Sequence, residues 1–388
     1  VASEKPHANK QQKPVVEKDV RRGVPHVAPM GRRALIRADK NSSRYRKEEN
    51  MKRLLPIIVL LALAVIVIVV VVNRKEVAVE PIVWYGPMPH PYVSEVKAGV
   101  EACGKDFGVK IFKMVGQEWT QDNENVNVEA LSTRGHKAFS IYPGDAAGAN
   151  GLFRALKDRG LLVVAYGAEP ALPTPASFTV ATDIKGAAMA ACEELIKMMG
   201  EKGNILNVLE TVTDINTKKR DEGINEVVAK YPNVKIIQTI ADMSQVSEAT
   251  NKIESALAAR GEAIDGMITT GWNPTIAAAA SLTEWHKDSR HKRIRFIGID
   301  TDDRVLQAIR NGYIDATVAQ NPFGHGYISC AILKMMLDGW KPKQDYQFIN
   351  AGIVIVTKDN LDTYPQEVRK ITDSILAELK TKYLAPKK

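Results

Sequence analysis

Cysteine is scarce in this chain. Three occur in 388 residues, Cys103, Cys192 and Cys330, with no CxxC pair among them. An odd count without a framework predicts neither a disulfide set nor a zinc site, and buried thiols are the expected state. Histidine is sparse too, at seven, and no His/Cys group has metal-ligating spacing. His286 and His291 sit in a charged stretch, WHKDSRH, read as solvated surface. GxSxG, P-loop and HExxH patterns are all missing, which argues against an enzyme. No cofactor and no metal are therefore expected.

Excess basic charge is missing from the main body of the chain. The overall net charge is +8, but residues 1–53 carry 15 Lys/Arg against 6 Asp/Glu, and the remainder 38 against 39. A nucleic-acid-binding body would bring its own basic face, so no nucleic-acid partner is expected.

Long apolar runs are also lacking, with one exception. Residues 54–72, LLPIIVLLALAVIVIVVVV, hold no polar side chain over 19 positions. At about 1.5 Å per residue such a helix nearly spans a bilayer core of about 30 Å. It is long for a signal-peptide core of roughly 7–15 residues, and no A-x-A site or cysteine follows it at Asn73-Arg74-Lys75-Glu76. An uncleaved anchor is the preferred reading over a cleaved signal. The Lys/Arg excess before the run places the tail in the cytoplasm and the body outside. Residues 1–50, rich in Lys, Arg, Pro, Gln and Asn, read as a disordered basic tail able to touch anionic lipid. Met51-Lys52-Arg53 also has the form of a start for an exported protein, so the stretch before it is either a natural tail or an over-extended start.

What is present, from residue 81 onward, is alternation. Short apolar runs at 82–85, 109–113, 138–141, 162–165, 178–181, 205–209, 234–240, 266–270, 295–299, 316–318 and 352–356 are separated mostly by helical patterns. Repeated βα units of this kind predict parallel sheets with helices on both faces. About 280 residues of it exceed one comfortable core, so two lobes are expected. The stretch 295–322, RFIGIDTDDRVLQAIRNGYIDATVAQNP, reads as strand, helix, turn and strand. Asp300 and Gln320 then stand at the C-terminal ends of two strands, where open α/β sheets bind ligands. An acid and an amide on one rim can hydrogen-bond a polyhydroxylated molecule. Taken alone, Asp300 reads equally as a helix cap and Gln320 as an ordinary loop residue.

Six pieces in a fixed order carry a family resemblance: His90-Pro91-Tyr92-Val93, Ala138-Phe139-Ser140-Ile141-Tyr142-Pro143-Gly144-Asp145, Lys219-Arg220-Asp221-Glu222-Gly223, Gly298-Ile299-Asp300, Ala316-Thr317-Val318-Ala319-Gln320-Asn321-Pro322 and Val356-Thr357-Lys358-Asp359-Asn360. Over roughly 81–362 the chain resembles the ribose/galactose-type (type I) periplasmic sugar-binding proteins, the substrate-binding components of ABC transporters. The resemblance implies an α/β fold: two doubly wound parallel-sheet lobes joined by a three-strand hinge, here preceded by one transmembrane helix. The organisation expected is a basic cytoplasmic tail (1–50), a transmembrane anchor or uncleaved signal (51–73), a linker (74–80), lobe one (81–181 plus 321–350), lobe two (182–320 plus 351–362) and a C-terminal helix (363–388).

By the same resemblance, Tyr92 stacks on a ligand and His90 bonds at its rim. Arg220 donates from lobe two, Asp300 accepts, and Gln320 bonds at the hinge. Asp145 is a lesser candidate, since it can simply cap the next helix. There are departures. Tyr166-Gly167-Ala168-Glu169 stands where sugar-binding members commonly place Asp or Asp-Arg. Gly271-Trp272 replaces an expected Asn, and Met243 replaces a common aromatic. Glu169, Trp272 and Asn273 are candidates to compensate. The ligand implied is a sugar, a sugar derivative or another small polar molecule, with ribose itself disfavoured. The implied role is an extracytoplasmic, membrane-anchored protein delivering that ligand to ABC permease subunits. The alternative is a sensor signalling to a chemoreceptor or histidine kinase. Sugar-responsive repressors share this fold, but no helix-turn-helix pattern precedes it here.

Overall fold

The computed structural model describes residues 49–57, 59–66, 79–212 and 214–387. Apart from residues 49 and 50, the expected basic tail lies outside the described residues, as do 58 and 67–73 of the expected membrane segment and 74–78 of the linker. Residues 49–57 and 59–66 are helical, with apolar side chains uncovered; Leu60 is 67% exposed and Leu61 61%. Among the described residues no helix is long and apolar enough to cross a membrane.

From residue 79 the chain builds two sheets. Strands β1 (Ile82–Gly86), β2 (Ile111–Val115), β3 (Ala138–Ile141), β4 (Leu162–Tyr166) and β5 (Phe178–Ala181) belong to the first. Strands β6 (Gly203–Val208), β7 (Val234–Ile240), β8 (Gly266–Thr269), β9 (Arg295–Ile299) and β10 (Ala316–Ala319) belong to the second. The short β11 (Lys341–Pro342) precedes β12 (Gln347–Asn350), which returns to the first sheet, β13 (Val354–Thr357), which returns to the second, and β14 (Leu384–Ala385), which pairs with β11. The first sheet has the order β12-β5-β4-β3-β1-β2 and the second β13-β10-β9-β8-β6-β7. Every pair in the two is parallel except β10 with β13.

The helices between them are α1 (Pro91–Asp106), α2 (Gln121–Ser132), α3 (Ala149–Asp158), α4 (Ile184–Met198), α5 (Ile215–Val228), α6 (Val246–Arg260), α7 (Trp272–Lys287), α8 (Asp303–Arg310), α9 (Pro322–Leu337) and α10 (Tyr364–Glu378). They cover both faces of each sheet, which is why the strands read as continuous apolar runs. Along β1 the faces alternate: Ile82 and Trp84 pack with Val96 of α1 and Ile328 of α9, while Val83 and Tyr85 pack with Val128 of α2 and Phe153 of α3. The second sheet does the same, with Leu206 beside Ile253 and Ala277 on one face and Ile205 beside Leu195 and Ile224 on the other.

Three crossings join the lobes: after β5, after β10, and between β12 and β13. They are bonded side by side. The Ala351 N–H donates to the Ala181 carbonyl at 2.9 Å, and the Asp183 N–H to Asn350 Oδ1 at 3.1 Å. Asn321, fully buried, donates from Nδ2 to the Ala351 carbonyl at 2.9 Å and to Thr372 Oγ1 of α10 at 3.0 Å. Helix α10 reaches both lobes, with Val368 in the core of the second and Ile375 in that of the first. Strand β2 begins two residues later than the 109–113 run predicted. Gly108 adopts φ +60°, and the Val109 N–H donates to the Gly104 carbonyl at 2.9 Å, so the chain is still closing α1 there.

Helices α1 and α9 touch backbone to backbone. A Cβ added at Gly99 would run into the Phe323 carbonyl, and one at Gly326 into that of Val96. An alanine normally stabilises a helix by about 1 kcal/mol over glycine. Here the sign reverses: Gly326→Ala forces α1 and α9 apart and is expected to lower unfolding stability by about 1–3 kcal/mol in urea melts. Gly151→Ala in α3, with open space around the new Cβ, is the control and is expected to leave stability unchanged or slightly raised. Equal behaviour of the two variants would refute the close-packing account.

Candidate functional site

Parallel strands deliver their following loops to one edge of each sheet, and here the two edges face each other. Between them lies a cavity of about 370 Å³, within the range of small-ligand sites. The first lobe contributes His90, Tyr92, Glu95, Trp119, Tyr142 and Gly167. The second contributes Glu210, Asp214, Asn216, Arg220, Trp272, Asn273 and Asp300, and Gln320 stands at a crossing.

Asp300 ends β9 in the left-handed region, φ +73°, a strained conformation for a non-glycine residue. Its backbone is held by an N–H bond to the Val318 carbonyl at 2.8 Å and a Thr317 Oγ1 bond to its own carbonyl at 2.8 Å. Gln320 Nε2 donates to Oδ1 at 2.8 Å. The residue keeps some surface toward the cavity while protein surrounds its carboxylate. Desolvation raises its pKa, opposed by the charge of Arg220, the Gln320 bond and His90. Arg220, on α5, donates from Nη1 to the Thr270 carbonyl at 2.8 Å, while its Nε is buried without a partner. A buried donor left unmatched is unfavourable by about 1–3 kcal/mol, so Arg220, which lines the cavity, has hydrogen-bonding capacity left unused at Nε.

The aromatic walls stand at steep angles to one another. His90 caps α1 by accepting the Tyr92 N–H on Nδ1 at 3.2 Å, which leaves the proton on Nε2. Burial lowers its pKa, Asp300 opposing. The His90 ring meets Trp119 at 5.9 Å and 83°, and Trp272 of the other lobe at 5.9 Å and 71°. Trp119 meets Tyr142 at 4.9 Å and 87°. Tyr92 Oη bonds His325 Nδ1 at 2.9 Å, and His325 Nε2 faces Thr182 Oγ1 at 3.4 Å. The ring of Tyr92 is thereby tied to the first crossing and to α9.

Seven of the nine residues expected from the sequence line this cavity: His90, Tyr92, Arg220, Trp272, Asn273, Asp300 and Gln320. Asp145 stands apart, its Oδ1 accepting the Ala147 and Gly148 N–H groups at 3.0 and 2.6 Å before α3. Glu169 also lies outside. It accepts from Lys219 Nζ at 3.3 Å and Tyr346 Oη at 2.8 Å, an ion pair between the lobes rather than a substitute polar group. The departure at Gly167 has a steric reason. It sits at φ +77°, and a Cβ there would strike Tyr92 Oη and the Tyr142 ring. Met243 is fully buried in the core of the second lobe, away from the cavity. Trp119, Tyr142, Glu210 and Asp214 were missed. Three of them follow β2, β3 and β6 closely, so the rule that pointed to Asp300 would have found them.

A family model described as a periplasmic binding protein domain matches residues 83–341. The xylitol-binding protein of Mycolicibacterium smegmatis is 25% identical over 286 residues, covering 71% of this chain and 77% of the relative. The D-apiose import binding protein of Paraburkholderia graminis is 24% identical over 274 residues, covering 70% of this chain and 85% of the relative. A crystal structure of an ABC transporter solute-binding protein from Burkholderia graminis with D-arabinose gives a TM-score of 0.66 at 19% identity, covering 73% of this chain and 96% of that one. That last likeness concerns the fold alone.

The buried His325 generates a pH prediction. Burial lowers its pKa from 6.5 to about 3, so the unfolded chain takes up the proton first. Stability from the neutral ring is present above pH 6.5 and is lost as pH falls toward 3, by about 1.4 kcal/mol per unit at most. His325→Gln removes this term. Urea melts at pH 7 and pH 4.5 are expected to show the wild type losing more stability than the variant; parallel losses would contradict the neutral, buried assignment.

Proposed function

The chain belongs to the periplasmic binding protein domain family, a family of ligand carriers rather than enzymes, and from that premise we propose that it captures a sugar or sugar-like polyol between its lobes and delivers it to an ABC importer. The observation that carries this reading is the pairing of Asp300 with the unmatched Nε of Arg220 inside an aromatic-walled cavity. A polyol hydroxyl both donates and accepts. Asp300 would accept from one hydroxyl, Arg220 Nε would donate to another, and His90 Nε2–H would serve the rim. Trp119, Tyr92 and Trp272 would cover C–H faces. Gln320 holds Asp300 and sits at a crossing, so ligand held there favours the closed arrangement of the lobes. The names of the relatives, with xylitol and apiose among their ligands, support pentoses and pentitols as first probes.

We further propose that the apolar run keeps this binding body at the outer face of a membrane. Its support is the charge asymmetry around 54–72 and the uncovered apolar side chains of 59–66. A sensor would use the same lobe closure with a different partner. Loss of uptake of the identified ligand on deleting the protein is the outcome expected of an importer, and intact uptake would favour the sensor. Deleting 54–72 is expected to shift the protein from the membrane pellet to the soluble fraction, and an unchanged pellet would remove the anchor.

Xylitol, D-arabinose and other pentoses and hexoses test the ligand class by thermal shift. A ligand at about 100 times its Kd adds about 2.7 kcal/mol, a rise of several degrees. Asp300→Asn keeps the left-handed backbone, which Asn tolerates, and removes a desolvated charge. It is expected to leave the ligand-free melting temperature at pH 7 equal or higher while weakening a bound sugar by about ten- to a hundredfold, the loss of a charge-assisted bond. Unchanged affinity would remove Asp300 from the site.

A further inference from the structure

We propose that the ligand of this cavity carries a positive charge, as in an amino sugar or an amino polyol. The inference rests on the carbohydrate reading and narrows it. Four carboxylates border the cavity, Glu95, Glu210, Asp214 and Asp300, against one guanidinium, Arg220. None of the four is ion-paired with a lysine or arginine among the described residues. Their bonds are to neutral groups. Asp300 takes the Gln320 amide, Asp214 takes the Thr217 N–H at 2.8 Å and its hydroxyl at 3.1 Å on one oxygen, and Glu210 takes the Asn273 N–H at 3.4 Å. His90 spends its Nδ1 lone pair on a helix cap and adds no fixed charge. Closing the cavity over a neutral sugar would take water from Glu95 and Asp214, both exposed in this structure, and leave the four carboxylates only Arg220, with Arg369 acting on Glu95, as counter-charge.

The walls make an independent argument. Rings meeting near right angles, Trp119 against His90 and Tyr142, with Trp272 approaching from the other lobe, present faces from more than one direction. Aromatic faces around a site attract a cation through their quadrupoles, and indole does so best. Arg220 decides between a simple amine and an amino sugar. Its buried, unpartnered Nε calls for a hydroxyl or ring oxygen, while the carboxylates call for an ammonium. One molecule with both groups satisfies both ends. The charge of Asp300 also raises Glu210's tendency to hold a proton, although burial is the larger cause.

The test is calorimetric titration of the full-length chain in detergent. The probes are D-glucosamine and D-galactosamine, their N-acetyl forms, D-glucose and D-galactose, xylitol and D-arabinose, and ethanolamine as an amine without a sugar. At least one free amine sugar is expected to bind tenfold or more tightly than its neutral parent and its N-acetyl form, a difference of about 1.4 kcal/mol. Glu95→Gln and Asp214→Asn are expected to reduce that preference. A neutral sugar or polyol binding as tightly as the amines would overturn the charge inference and leave the carbohydrate reading standing. Ethanolamine binding without any sugar would overturn the carbohydrate reading alone, and no binding by any probe would overturn both.

Discussion

A carboxylate held in a strained backbone at the mouth of a sheet is a liability unless something rewards it. Asp300 adopts φ +73°, loses solvation, and is restrained by Thr317 and Gln320 from the neighbouring strand end. Such strain, of order 1–3 kcal/mol, persists where the surroundings over-determine it, and it clusters at binding sites. The rest of the cavity is arranged in relation to this group. Arg220 anchors one end of its guanidinium on the Thr270 carbonyl and keeps Nε free, and Gln320 lies on the crossing that carries the chain back to the first lobe. Strands β9 and β10 are short and, Arg295 and Thr317 apart, carry only apolar residues and glycine, so the sheet supplies rigidity and the ends supply most of the chemistry.

The hinge is built so that events in the cavity reach the crossings through few contacts. Tyr92 forms part of the wall, and its hydroxyl meets His325, whose other nitrogen faces Thr182 at the first crossing. Asn321 fastens the second crossing to the third and to α10, whose side chains enter both cores. The Glu169–Lys219 pair links the lobes outside the cavity. Its side chains are 38% and 27% exposed and solvent-screened, so its contribution is small beside the buried amide bonds of Asn321.

Much of this was legible in the chain itself, for a physical reason. Parallel strands buried on both faces must be continuous apolar runs, and the residue that breaks each run at its C-terminal end faces the cleft. That logic placed Asp300 and Gln320 on one rim, and the structure bonds them directly because β9 and β10 are neighbours. It was not carried through at β2 and β6, so Trp119 and Glu210 were passed over. Glu169 was read as a replacement polar group, but local sequence holds no information about Lys219, 50 residues away, which draws it out to the rim. Strand β12 escaped notice because Gln347-Phe348-Ile349-Asn350 has only two apolar residues; it exists through pairing with β5. Gly167 was read as a departure from the family's pattern, and a Cβ there would strike Tyr92 Oη and the Tyr142 ring.

The central claim is that one molecule bridges Asp300 and Arg220 between the lobes. The crystal structure of the complex with the tightest-binding probe tests it most directly. The account predicts a ligand oxygen within hydrogen-bond distance of Arg220 Nε, a ligand donor on the Asp300 carboxylate, and Trp119 or Trp272 against the ligand's face. A ligand seated elsewhere, or one in the cavity that leaves Arg220 Nε unpartnered, would contradict it.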